Sequence, residues 1–158
     1  MLLKSITATI PGVLLVLGVG LLSAGGTPTG DACSLLTQAQ VSAALGVSMA
    51  PGQRYLPSLP QVCAWSEPVP PHIQRVVVTI SNTVTFASEK TPTPGVTKTP
   101  VSGIGDDAYY VTAGGLGTDL HVKKGSFAFK ISVGGPGFSV DQIKVMEKTL
   151  AQDVLAKV

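Results

Sequence analysis

The sequence predicts an α+β domain. An antiparallel sheet of about five strands is preceded by one helix and followed by another, both packed on one face, in the order α-β-β-β-β-β-α. Three observations carry this. Residues alternate between apolar and polar in the segments 62–67, 74–81, 106–112, 118–124 and 126–135, the period of strands with one buried face. Capping-box signatures open a helical pattern at each end of the run. Short glycine-containing links join the later strands, which favours antiparallel pairing.

The chain has 158 residues, the length of one domain. Its first residues, MLLKSITATIPGVLLVLGVGLLSAGG, stand apart from it. One basic residue, Lys4, is followed by an apolar run from Val13 to Leu22 and then by small residues. This is the pattern of a secretory signal peptide over residues 1–24. The apolar core is shorter than the roughly 20 residues of a spanning helix. Cleavage is expected near Ala24, and a leader that escaped cleavage would act as a membrane anchor. Lipid attachment needs a cysteine just after the cut. Gly25 and Gly26 stand there instead, and the first cysteine is Cys33. Residues 25–32 read as a flexible lead-in, and 33–158 as a single domain.

In an exported chain two cysteines imply one disulfide, Cys33 to Cys63. Closing that loop stabilises the fold by roughly 3.5–4 kcal/mol in the chain-entropy view. A reactive thiol pair would want C-x-x-C spacing or a thiolate-stabilising setting, and neither is visible.

Thr37 caps the first helix, Gln40 completes its box, and Leu36 with Val41 forms a hydrophobic staple. Gly46 is placed to end it, so the helix covers about residues 38–45. The stretch 49–61, MAPGQRYLPSLPQ, is too proline-rich for a regular element. In the strand VCAWSE, Cys63 and Trp65 share a face. In QRVVVTIS, Val76, Val78 and Ile80 share one face and Arg75, Val77 and Thr79 the other. The stretch 83–100 is divided. Its first half either extends the strand or makes a helical turn, and its second half reads as an exposed loop. In TDLHVKK, Leu120 and Val122 face inward while Asp119, His121 and Lys123 face water. Phe127, Phe129, Ile131 and Val133 form the buried face of the last strand, reached through a Lys124-Gly125-Ser126 hairpin. Ser139 and Gln142 open the closing helix, whose apolar stripe is Ile143, Met146, Leu150 and Val154.

The chemistry-bearing motifs are sparse. The formal net charge is +2, and no basic cluster is longer than Lys123-Lys124, which points away from nucleic acid and from anionic membrane surfaces. The segment VSGIGDDAYY lacks the third glycine of a dinucleotide fingerprint and the Gly-Lys-Ser/Thr of a phosphate loop. It reads as a turn in which Gly103 and Gly105 supply the backbone angles and the aspartates make local bonds. His72 and His121 have no metal-site spacing, and no G-x-S-x-G is present. Trp65 either packs on the disulfide or stacks on a ligand. The binding candidates are therefore Trp65, Asp106 and Asp107. No catalytic residue, metal or cofactor is assigned.

Cys33-Ser34-Leu35-Leu36-Thr37, Ala44-Leu45-Gly46, Cys63-Ala64-Trp65, Gly103-Ile104-Gly105-Asp106-Asp107-Ala108-Tyr109 and a closing helix from Glu147 to Leu155 together resemble a class of small exported bacterial domains of unknown function. Many of these are lipoprotein-like and associated with the cell envelope. The resemblance implies a disulfide from the start of the first helix to the C-x-W strand, and a glycine-aspartate turn ahead of a sheet strand. It transfers no catalytic residue, and this chain lacks the lipidated cysteine. The expected function is that of a periplasmic or secreted, non-enzymatic binding or interaction module. Its partner would be a cell-envelope protein or a small ligand, met by the exposed sheet face and the loops 49–61 and 83–100. The alternatives are a small secreted hydrolase built around His72 or His121, and a structural envelope protein that self-associates.

Overall fold

The computed structural model describes residues 30–71, 73–114 and 117–158. The leader, its cleavage site, His72 and the middle of the 113–117 link lie outside the described residues. Helix α1 (Gln38–Leu45) precedes strands β1 (Gln53–Arg54), β2 (Val62–Ser66) and β3 (Arg75–Asn82). Helix α2 (Thr83–Lys90) follows, then β4 (Val96–Val101), β5 (Asp107–Ala113), β6 (Thr118–Lys124), β7 (Phe127–Gly134) and helix α3 (Val140–Leu155). The strands form one sheet in the order β1-β2-β3-β7-β6-β5-β4, every neighbouring pair antiparallel.

The α+β class and the antiparallel sheet are as expected, but the described residues hold seven strands and a third helix. Both additional strands come from segments read as irregular. β1 is two residues long, and Gly52 ahead of it lets the backbone lie on Trp65, since a Cβ there would stand 2.6 Å from the indole. β4 carries the sequence VTKTPV at the sheet edge, where a proline removes no ladder bond the fold needs. Its β-branched residues fit a pleated surface better than a loop.

Two layers of side chains follow from the strand period. The inner face presents Cys63, Trp65, Val76, Val78, Ile80, Leu120, Val122, Phe129, Ile131 and Val133. Helices α1 and α3 cover it through Val41, Leu45, Ile143, Leu150 and Val154. Both helices keep the expected capping boxes, and Gly46 ends α1 with φ 71°. The outer face is covered in part by α2. Asn82, the last residue of β3, accepts from the Thr85 amide at 2.8 Å and so turns strand directly into helix. Phe86 then closes a second small core with Tyr109 and Ala128. The expectation that the sheet has helices on one face only is corrected by this element. His121, expected to face water, is 5% exposed beneath it.

The disulfide joins Cys33 to Cys63 with a Cα–Cα distance of 5.0 Å. Packing begins ahead of it. Asp31 caps a short 3-10 turn at Ala32–Ser34, Ala32 is fully buried, and its amide donates to Pro60 O at 2.8 Å. Asp31 and Ala32 thus belong to the packed domain rather than to a flexible lead-in. The SGIGDD segment is a turn, as expected. Gly105 has φ 58°, and a Cβ there would meet Lys123 O at 2.5 Å.

The cross-link spans a sequence separation of 30. Its reduction, or the Cys33→Ala/Cys63→Ala double substitution, is expected to lower unfolding stability by roughly 3–4 kcal/mol. Urea unfolding of the oxidised and reduced protein measures this, and an unchanged midpoint would contradict it.

Candidate functional site

Strand register arranges the outer face in rows that run across the sheet. One row reads Gln53, Ala64, Val77, Ser132, Asp119, Val111 and Lys98 from β1 to β4. The next, closer to α2, reads Val62, Thr79, Lys130, His121, Tyr109 and Pro100. On the far side Ser66, Arg75 and Gly134 align, and Ala113 aligns with Val96. Helix α2 roofs the Ala128 and Tyr109 positions. The rows containing Ser132 and Arg75 stay open.

At the wall of α2, Tyr109 donates its hydroxyl to Phe86 O at 3.0 Å and packs edge-on to the Phe86 ring at 5.0 Å. The His121 ring stacks on Tyr109 at 4.9 Å. His121 Nδ1 lies 3.2 Å from Glu89 Oε2, and Lys130 Nζ lies 3.9 Å from Glu89 Oε1. Burial pushes the His121 pKa below its usual value, while the Glu89 carboxylate opposes that shift. The neutral ring directs Nδ1–H at Glu89 and leaves Nε2 as an acceptor. Burial, and then the charge of Glu89, push the Tyr109 hydroxyl up to about 12.

One cavity opens from this wall and a second adjoins it, the two sharing Asp119 and Val111. One, of about 280 Å³, lies between Glu89, His121, Lys130 and Lys98. The other, of about 270 Å³, lies over Val77, Ser132, Gly134 and Ala113, with Arg75 on one rim. Its depth comes from small residues, because Gly134 and Ala113 stand where the neighbouring rows carry larger side chains.

A buried acid supports the floor from behind. Glu147 of α3 is 0% exposed. Its Oε2 pairs with Thr118 Oγ1 at 2.8 Å, and its Oε1 accepts from the Val133 amide at 3.3 Å. Both partners also line the second cavity. Burial raises the Glu147 pKa to about 8, against the two hydrogen bonds that lower it.

The candidates read from the sequence are not brought together. Trp65 is 1% exposed and belongs to the inner core with Cys63. Asp106 accepts from the Gly125 amide at 2.6 Å and from Lys124 Nζ at 3.3 Å, tying its turn to the β6–β7 hairpin. These bonds hold its carboxyl below the usual range. They are bonds to a distant hairpin rather than local ones. Asp107 opens β5 and pairs with Lys90 at 2.6 Å. Residue spacing carried a signal for Glu147: it lies on the stripe of Ile143, Leu150 and Val154. His121 had none, since α2 is set by the end of β3. Among the described residues no hydroxyl or thiol bonds to His121, so its pair with Glu89 lacks a nucleophile in contact.

Glu147 titrates near 8 when folded and near the ordinary glutamate value of 4.5 when unfolded. The native state therefore holds a proton that the unfolded state loses between these values. The stability this gives is fully present below about pH 4.5 and is lost as pH rises through about 8. Glu147→Gln preserves both hydrogen bonds without the ionisation. Its melting temperature is expected to exceed the wild-type value by a margin that grows across this window, by at most about 5 kcal/mol in stability. A margin independent of pH would contradict the assignment. Glu89→Gln removes the carboxylate that opposes the burial shift, so His121 is expected to titrate lower still. NMR titration of the ring Hε1 signal measures this.

No protein-family model, no curated protein and no solved structure matches the chain.

Proposed function

We propose that the protein is an exported, non-enzymatic binding module of the cell envelope, and that its ligand seats on the open half of the outer sheet face. The resemblance to small exported bacterial domains belongs to the same proposal. One observation carries it. A rigid antiparallel sheet, closed on its inner side by two helices and a disulfide, leaves two contiguous cavities open on the other side. Concave surfaces with a few convergent polar groups are the usual form of ligand sites. The disulfide supports an oxidising compartment. Among the described residues no helix is long and apolar enough to cross a membrane.

The hydrolase reading draws on the pairing of His121 with Glu89, but that pair has no nucleophile in contact. Self-association by strand pairing is opposed at both edges. β1 has two residues, and β4 carries Lys98 and Pro100, which are residue types that blunt sheet edges.

Two measurements test the proposal. The intact mass of the protein from its native host is expected to match a chain without its leader and with Cys33 and Cys63 oxidised. A full-length, reduced chain would overturn the export reading. Ser132→Trp fills the open face from a central strand and is expected to weaken capture of an envelope partner or ligand by roughly tenfold or more. Equal capture by wild type and variant would place binding elsewhere.

A further inference from the structure

We propose that the cavity over Ser132 and Gly134 takes a zwitterionic ligand of amino-acid size, its carboxylate held by Arg75 and its ammonium by Asp119. This rests on the binding-module reading and names its ligand class. The charged residues lining the two cavities fall into two groups. Glu89 pairs with His121 and Lys130, and Lys98 Nζ donates to Thr91 O and to Thr93 Oγ1. Among the described residues the side chains of Arg75 and Asp119 make neither an ion pair nor a hydrogen bond. The guanidinium of Arg75 rests over the exposed Tyr55 ring at 5.8 Å. Asp119 is half-buried beside Val111, with cavity on either side. A carboxylate at a cavity wall with no cation of the protein beside it is free to accept from a bound ammonium.

The two charges have opposite sign and both residues line the same hollow, the Arg75 guanidinium resting at its Tyr55 side. Register places Arg75 two strands and two residues away from Asp119. At strand spacing and rise this separates their Cα atoms by roughly 12 Å. Both side chains would have to lie flat across Ser132 to meet. A ligand whose own charges are a few ångströms apart bridges them once the exposed Arg75 side chain turns from Tyr55 toward Ser132, a change between ordinary rotamers. Arg presents a fork that matches a carboxylate. Asp119 accepts from an ammonium. Between them Val77, Val111 and Ala113 make an apolar floor for a short side chain, and Ser132 adds a hydroxyl. At about 270 Å³ the cavity matches a small ligand of amino-acid size.

The test is a ¹H–¹⁵N NMR titration of the oxidised chain without its leader, using L-leucine, the dipeptide Ala-Leu, N-acetyl-L-leucine and L-leucine methyl ester as probes. The amides of Asp119, Ser132 and Gly134 are expected to shift with L-leucine or with Ala-Leu, and the tighter of the two tells a free amino acid from a peptide. The acetylated and esterified forms each lack one charge and should bind roughly tenfold or more weaker. Arg75→Gln is expected to remove the preference for the free carboxylate and Asp119→Asn the preference for the free ammonium, both with unchanged melting temperature. Equal shifts from all four probes, or none up to their solubility limits, would overturn the proposal. If none shifts while Ser132→Trp still abolishes partner capture, the binding face stands and the zwitterion falls. If leucine binds as expected while Ser132→Trp leaves partner capture intact, the pocket stands and the partner binds elsewhere.

Discussion

The register of β7 is the constraint on which the rest of the molecule depends. β7 lies at the centre of the sheet and pairs with β3 on one side and β6 on the other. Until it is in place, the half formed by β1, β2 and β3 and the half formed by β4, β5 and β6 share no ladder. Its alternation also sets both faces. Phe129, Ile131 and Val133 point into the core, while Ala128, Lys130, Ser132 and Gly134 point at α2 or at the open hollow. A slip of one residue would exchange these sets and place Lys130 in the core. The core and the candidate site are therefore specified together.

The titratable groups show that both faces of the sheet favour the neutral form of a buried group. On the inner side Glu147 is enclosed by the sheet and by its own helix, and its neutral form is favoured because the surroundings cannot hydrate a charge. On the outer side the neutral form of His121 is favoured for the same reason, although Glu89 stands beside it. The two groups bracket Asp119, whose charge raises the pKa of each. One short strand, β6, thus carries Thr118 against Glu147, Asp119 in the cavity and His121 under α2. Asp119 thus acts on one titratable group on each face.

Much of the fold was legible because its signals are local. A capping box needs only residues three apart, so Thr37 with Gln40 and Ser139 with Gln142 marked both helix starts. Alternation is visible within five to eight residues, so the inner faces of β2, β3, β6 and β7 could be read directly. The site was far less legible. Asp119 was placed correctly on the outer face, but nothing nearby in sequence announces its distant cross-strand neighbours. Glu147 could be found by its helical spacing, yet its environment depends on which strand ends α3 meets. Trp65, Asp106 and Asp107 drew notice as residue types, and the structure uses one for packing and two for bonds at strand ends.

The sequence by itself determined the class of fold, the cysteine pair, both capped helices and which side chains of each clear strand would face the inner core. These depend on backbone period and on capping bonds a few residues long. Only the tertiary structure decided that VTKTPV is an edge strand, that α2 roofs part of the outer face, and that Arg75 and Asp119 line one hollow. Those outcomes depend on which strands become neighbours, and that is fixed by burial and register across the whole sheet rather than by any one segment.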